Sequence, residues 1–275
     1  MKKMGNIILM FLLLSFIALA STSNIASFNV LRLGNSQKNY PMTASVLADF
    51  DLIGLQEVMN QKGVEKLVYF LEKETKEKWD YHISPYSVGE SSYKEYYAYI
   101  WKANKVVFLK ERGFYSGETK EFSREPYGAD FKIGEFDFTY VLIHIVFGKD
   151  ESRRRSEIFK MHKVYDYFQN LDNDENDIII AGDFNMPALD ESFENLLGHK
   201  DEIIYIIDPV MKTTLGKNGL SSSYDNIFLS NKYTQEFTGY SGSIDFTEGK
   251  YGDRKKNISD HLPIFFQVNI LTDDD

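Results

Sequence analysis

The sequence predicts one domain of the α/β class, on three observations. Short runs of β-branched and aromatic residues alternate with stretches whose apolar residues recur at helical spacing. No repeat and no low-complexity linker separates them, only an acidic fringe at Asp273–Asp275. Residues 21–275, which follow an N-terminal leader, number 255 (275 minus 20), the length of one such domain. The leader is residues 1–20. Met1-Lys2-Lys3 is basic, Ile7 to Ala20 is apolar, and Ala18-Leu19-Ala20 before Ser21 has the form of a cleavage site. That is the pattern of a secretory signal peptide, and the apolar stretch is short for the competing reading, a transmembrane anchor. The expectation is a secreted monomer, periplasmic or extracellular, with no stable membrane association after cleavage. The chain holds no cysteine, which excludes disulfides and a lipidated leader, and a core of this size needs no disulfides.

The elements follow in order. Ile25–Val30 reads as a strand with Asn29 near its end. Pro41–Phe50 carries Met42, Val46, Leu47 and Phe50 at helical spacing, with Pro41 in a first-turn position. Asp51–Val58 is a second strand ending in Glu57, and Gly63–Lys78 a helix with Val64, Leu67, Val68 and Leu71 on one stripe. Tyr81–Glu95, rich in Ser, Tyr and Gly, is expected to be a loop leading into the aromatic strand Tyr96–Trp101. After Lys105–Leu109 comes an irregular stretch containing Ser123-Arg124-Glu125-Pro126. Phe136–Phe147 alternates as a long strand with His144 inside; a lone histidine among aliphatics is more often a core residue than a catalyst. Glu151–Leu171 is expected to be one helix, with Arg153-Arg154-Arg155 on a solvated face.

Ile178-Ile179-Ile180-Ala181 is a buried strand that stops at Gly182-Asp183-Phe184-Asn185. Strand alternation sends Asp183 and Asn185 to one face and Phe184 to the other. An acid and an amide there suit a divalent metal or a phosphate oxygen, or else form an ordinary Asp/Asn turn. Tyr224–Leu229 is a further strand, and Ser259-Asp260-His261 feeds a last one, Leu262–Val268.

Taken together, Asn29, Glu57, Asp183, Asn185, Asp225, Asp260 and His261 stand at or beside strand ends. In sheets packed face to face such ends gather at one edge and line one cleft. Acids and amides suit Mg²⁺ or Mn²⁺, and the absence of cysteine argues against structural zinc. Neither G-x-x-x-x-G-K nor G-x-S-x-G occurs. Without its leader the chain has 29 basic and 41 acidic residues, a net charge of −12, which argues against coating nucleic acid through bulk positive charge.

Phe28-Asn29, Gln56-Glu57, Gly182-Asp183-Phe184-Asn185, Tyr224-Asp225 and Ser259-Asp260-His261, in this order, resemble the motifs of the endonuclease/exonuclease/phosphatase superfamily. Ser92-Tyr93-Lys94-Glu95-x-Tyr97 and Phe122-Ser123-Arg124-Glu125-Pro126, with His144 in the next strand, narrow the resemblance to its deoxyribonuclease I-like branch. The resemblance implies a four-layered sandwich, two mixed β-sheets flanked by helices, and metal-dependent phosphodiester hydrolysis of DNA without sequence preference. It implies that His144 is an acid/base group oriented by Glu95, and His261 its counterpart oriented by Asp225. Glu57, with Asp260 and Asn29, would hold Mg²⁺ or Mn²⁺. Asp183 and Asn185 would meet phosphate and water, and Tyr93 and Arg124 the DNA backbone.

The departures are as specific. Met59 and Leu31 stand where the family's deoxyribonucleases place arginines that meet the DNA groove, with Arg32 one step late. Lys212 replaces a calcium aspartate before Thr213-Thr214, and the Glu111–Glu121 loop is short and lacks Asp, which argues against structural Ca²⁺. Other functions compatible with the same motifs are a sphingomyelinase- or phosphoinositide-type phosphodiesterase, a toxin nuclease subunit with a protein partner, and a non-catalytic binding member.

Overall fold

The structure is a computed structural model that describes residues 21–273 apart from 36, 91, 92, 118 and 172–174. The predicted leader, Ser92 and the end of the acidic fringe lie outside the described residues.

Two mixed six-stranded sheets face each other. The first contains β1 (Thr22–Leu33), β2 (Leu52–Val58), β3 (Trp79–Ile83), β4 (Tyr96–Lys102), β11 (Phe237–Ser243) and β12 (Ile264–Asn269), in the order β11-β12-β1-β2-β4-β3. The second contains β5 (Val106–Phe114), β6 (Tyr127–Ile133), β7 (Phe136–His144), β8 (Ile178–Asp183), β9 (Ile203–Tyr205) and β10 (Asp225–Ser230), in the order β5-β6-β7-β8-β10-β9. Each sheet has one parallel pair, β1 with β2 and β7 with β8, and antiparallel partners elsewhere.

Strand alternation sorts the side chains into layers. Ile25, Tyr140, Leu142, Ile179, Ala181, Ile227, Ile264 and Phe266 fill the space between the sheets. The opposite faces of the strands carry Ala26, Phe28, Ile53 and Leu55 against helices α1 (Tyr40–Leu47) and α2 (Gln61–Thr75). On the other side Val141, Ile143, Ile178 and Ile180 pack with Met161, Val164 and Phe168 of helix α4 (Met161–Gln169). The outcome is the expected four-layered sandwich. The sheets approach closely at Gly54, where an added Cβ would lie 2.3 Å from Leu142 Cδ2. They are also tied there by the Tyr140 hydroxyl, which donates to Ala26 O at 2.8 Å.

Several expected elements need correction. Tyr81–Ile83 is not loop but belongs to β3, an edge strand paired with β4. The helix expected over Glu151–Leu171 is two, α3 (Glu151–Ile158) and α4, because Lys160, at φ −95° and ψ 0°, leaves helical geometry. The break lets α3 bury Arg154 and Glu157 while α4 buries an apolar stripe. The strand expected to reach Phe147 stops at His144, where its parallel partner β8 also runs out. Strands β6, β9 and β11 and the short helix α5 (Tyr251–Asn257) had no counterpart in the sequence reading.

Replacing Gly54 with Val overpacks the interface between the sheets. The expected cost is about 1–3 kcal/mol, read as a lower urea midpoint with an unchanged slope.

Candidate active site

The interior face of each sheet is apolar in its middle and becomes polar at one end. On β1 the interior positions run Ile25, Ser27, Asn29; on β7, Tyr140, Leu142, His144; on β8, Ile179, Ala181, Asp183. His144 and Asp183 are register partners across the parallel pair, and Asp183 is the partner of Asp225 on β10. Three strands thus bring their polar ends side by side without any loop having to search for them.

Glu57 arrives differently. Gln56 takes the interior position on β2 and donates to Ser27 Oγ at 3.0 Å, so alternation alone would point Glu57 at the helices. The β2–β4 register slips between Leu55 and Val58, and Glu57 adopts φ +58°. This left-handed bulge, a strained conformation for a residue with a Cβ, brings the carboxylate to the cleft. Gly182 has a comparable local reason: at φ +153°, a Cβ there would lie 2.0 Å from Ile143 O, so only glycine lets β8 pass this close beside His144. Asn185 reaches the cleft through a turn rather than by the alternation expected from sequence. It sits at φ +52°, its N–H donates to Asp183 Oδ1 at 2.9 Å, and its Nδ2 donates to Ile145 O at 2.9 Å.

Glu57, His144, Asp183, Asn185, Asp260 and His261 line a cleft of about 790 Å³ together with Leu31, Arg32, Tyr93, Arg124, Phe147 and Lys255, with Asn29 and Asp225 behind them. At its centre, Asp183 Oδ2 lies 3.5 Å from His144 Nε2, 3.4 Å from His261 Nε2 and 3.1 Å from Asn29 Nδ2. Behind each imidazole stands a second carboxylate. His144 Nδ1 is 2.7 Å from Glu95 Oε1, and His261 Nδ1 is 2.8 Å from Asp225 Oδ2. His144 is therefore neither a plain core histidine nor alone.

Burial pushes the His144 pKa down, but the Glu95 charge and hydrogen bond outweigh burial and hold the ring above its ordinary range. His144 and Arg124 in turn hold Glu95 below the usual carboxylate range despite its complete burial. For His261, Asp225 and Asp183 overcome burial and raise the pKa well above normal. Burial raises the Asp225 pKa as well, against the pull of His261, and Asp225 also accepts from Thr213 Oγ at 2.6 Å.

The metal-side residues are arranged unevenly. Glu57 Oε1 accepts from Asn29 Nδ2 at 3.2 Å, and Oε2 from Tyr93 OH at 2.8 Å and Arg32 N at 3.2 Å. Asn29 turns its amide N–H groups, not its oxygen, toward the two carboxylates, since its Oδ1 accepts from Leu31 N at 3.0 Å. Asp260 lies 3.1 Å from Lys255 Nζ of α5. Among the described residues, Asp183, Asp225 and His261 bring ligand atoms within 4.8 Å of one another, a group that includes neither Glu57 nor Asp260. Arg124 stacks over the Tyr93 ring at 5.6 Å and pairs with Glu95 Oε2 at 3.0 Å, off the hydrogen-bonding direction.

Some contributors had little or no signal in the sequence. Ser259 Oγ donates to Asn29 O at 2.6 Å and accepts from His261 N at 3.2 Å, linking two strand ends; it was visible only as part of a motif. Lys38, its pKa pulled down to about 8 by burial, faces the charges of Asp260 and Glu57. The arginines read as a solvated face are clamps: Arg153 binds Ser123 Oγ and Glu90, Arg154 Nη1 donates to Asn185 O at 2.9 Å, and Arg155 pairs with Asp190 at 2.9 Å. Glu157 joins them, accepting from Ser123 N at 2.9 Å and Val146 N at 3.0 Å.

Known proteins resemble this chain in sequence and in fold. A model of the Endonuclease/Exonuclease/phosphatase family matches residues 24–261. A Thioalkalivibrio sp. (strain K90mix) protein named deoxyribonuclease is 30% identical over 286 residues, spanning 97% of this chain and 76% of its own. Deoxyribonuclease-1 of Bos taurus is 25% identical over 282 residues, spanning 93% of this chain and 95% of its own. A solved endonuclease/exonuclease/phosphatase family protein from Leptotrichia buccalis C-1013-b superposes with a TM-score of 0.63 at 20% identity, over 90% of this chain and 99% of that one. The chain belongs to the endonuclease/exonuclease/phosphatase superfamily, in its deoxyribonuclease I-like branch.

Proposed function

We propose that residues 21–275 form a secreted, divalent-metal-dependent endonuclease that hydrolyses DNA phosphodiester bonds without sequence preference. The observation that carries this reading is the pair of carboxylate-backed imidazoles whose Nε2 atoms face one oxygen of Asp183, at 3.5 and 3.4 Å. Two such nitrogens let one neutral ring take a proton from water while the other, as imidazolium, gives its proton to the leaving 3′-oxygen. Glu95 and Asp225 fix the tautomers by holding Nδ1–H, which leaves both Nε2 atoms for the substrate. Asp183 and Asn185 position the attacked phosphate and the water between them.

The donor chemistry fits Mg²⁺ or Mn²⁺. Glu57 supplies hard oxygens with lone pairs to spare, Asp260 lines the same cleft, and few protein ligands leave room for water and phosphate. Glu57 and Asp260 would hold the ion, which when bound stabilises charge on the phosphoryl oxygens. Asn29 bridges Glu57 and Asp183 by donating to both. Arg124 and Tyr93 would hold the backbone beside the scissile bond. Relatives named deoxyribonuclease support DNA as the substrate. The signal-peptide pattern of residues 1–20 supports export.

The direct test is plasmid nicking by the mature chain. Nicking is expected with Mg²⁺ or Mn²⁺, lost in EDTA and restored by the ion; a folded sample inactive with every divalent cation overturns the reading. His144→Ala and His261→Ala are each expected to lower kcat by about 10²–10⁴-fold. Glu95→Gln removes the charge that raises the His144 pKa. The limb of the kcat/KM profile that depends on protonated His144 is therefore expected to move to lower pH, while folding is retained.

A further inference from the structure

The loop after His144 carries an aromatic ring that the proposed chemistry does not use. Phe147 is 65% exposed and lines the cleft. A single exposed apolar side chain is ordinary on a protein surface. This one is set apart by how it is held. Its neighbours on both sides are pinned by charged side chains that α3 buries: Glu157 accepts from Val146 N at 3.0 Å, and Arg154 Nη2 donates to Gly148 O at 3.3 Å. The Arg154 guanidinium also stands 5.3 Å from the ring centroid, a cation–π contact. The same guanidinium holds Asn185 O at 2.9 Å, so one buried side chain sets the ring in register with the turn that carries Asn185. The ring is thus oriented without being covered. Tyr93, another aromatic in the cleft, is already engaged: its hydroxyl donates to Glu57, and Arg32 and Arg124 stand 5.2 and 5.6 Å from its ring centroid.

We propose that Phe147 is a specificity-determining residue that stacks on a nucleobase of an unpaired strand beside the scissile phosphate, so that single-stranded or locally opened DNA is preferred over closed duplex. The proposal rests on the nuclease reading above. In a duplex the faces of each base are covered by its neighbours, and a protein ring reaches one only after unstacking; in a single strand those faces are open, and stacking on an aromatic tolerates any sequence. Leu31, in the cleft lining, adds apolar surface and no charge with which to grip a second strand.

The test is anisotropy of a short labelled oligodeoxynucleotide, single-stranded or annealed to its complement, on the mature chain carrying His261→Ala so that the strand stays intact. Adding Phe147→Ala is expected to weaken single-strand binding about 5- to 150-fold, the ratio equivalent to the ~1–3 kcal/mol of stacking one base, and to leave duplex binding unchanged. Phe147→Trp should retain it. With His261 restored, the kcat/KM ratio of single strand to duplex should fall by the same factor in Phe147→Ala. Equal loss on both forms, no loss on either, Trp no better than Ala, or no oligonucleotide binding at all overturns the proposal. So does weakened binding to sphingomyelin–phosphatidylcholine vesicles in Phe147→Ala with oligonucleotide binding intact, which makes the ring a lipid contact. Failure of the nuclease reading is seen separately, as Phe147-dependent binding with no cleavage under any divalent cation.

Discussion

One buried carboxylate oxygen, Asp183 Oδ2, receives groups from both sheets. His144 reaches it along the neighbouring strand, Asn29 from across the sandwich, and His261 from the segment entering β12. A carboxylate this buried is costly unless donors surround it, and here those donors are the groups proposed to do the chemistry. The distance between them is fixed by how the sheets pack. Gly54 against Leu142 and the Tyr140 hydroxyl on Ala26 O set the spacing a few residues below the cleft. A site assembled on strand ends inherits the rigidity of the sandwich, which flexible loops would not supply.

The electrostatics are local. Residues 21–275 carry a net charge of −12, yet Arg32, Arg124 and Lys255 line the cleft beside its acids. Bulk charge of that sign does not draw in a polyanion, so capture must come from the cleft itself. Arg124 illustrates the arrangement: Glu95 behind it outweighs the effect of burial, so its guanidinium remains charged where it faces the cleft.

Much of this was readable in the sequence because strand periodicity and polar strand ends are local properties. Asn29, His144, Asp183 and Asp225 occupy interior positions that alternation predicts. Glu57 and Asn185 reach the same cleft against that rule, through positive-φ conformations that no pattern of apolar residues encodes. The roles of Arg154 and Glu157 were hidden for another reason. On an isolated helix a run of arginines is a solvated face, and only the packing of α3 over three loops turns those charges inward. Strand β6 was obscured by Asp130 and Lys132, although Tyr127, Ala129, Phe131 and Ile133 alternate into the core. Asp130 is acceptable there because Arg112 on β5 and Thr139 on β7 bind it at 2.6 and 2.8 Å.

The strand order also governs when the cleft can exist. Every strand of the second sheet lies within one continuous stretch, from Val106 to Ser230, so its ladder closes over modest sequence separations. The first sheet is joined across the chain: β1 pairs with β12, Ser27 opposite Ile264. Until β12 docks, β1 presents an open edge, and His261, three residues before that strand, has no fixed place beside Asp225. The two imidazoles therefore cannot face Asp183 together in a partly folded chain. A polypeptide still being made carries all the site residues synthesised so far without their geometry.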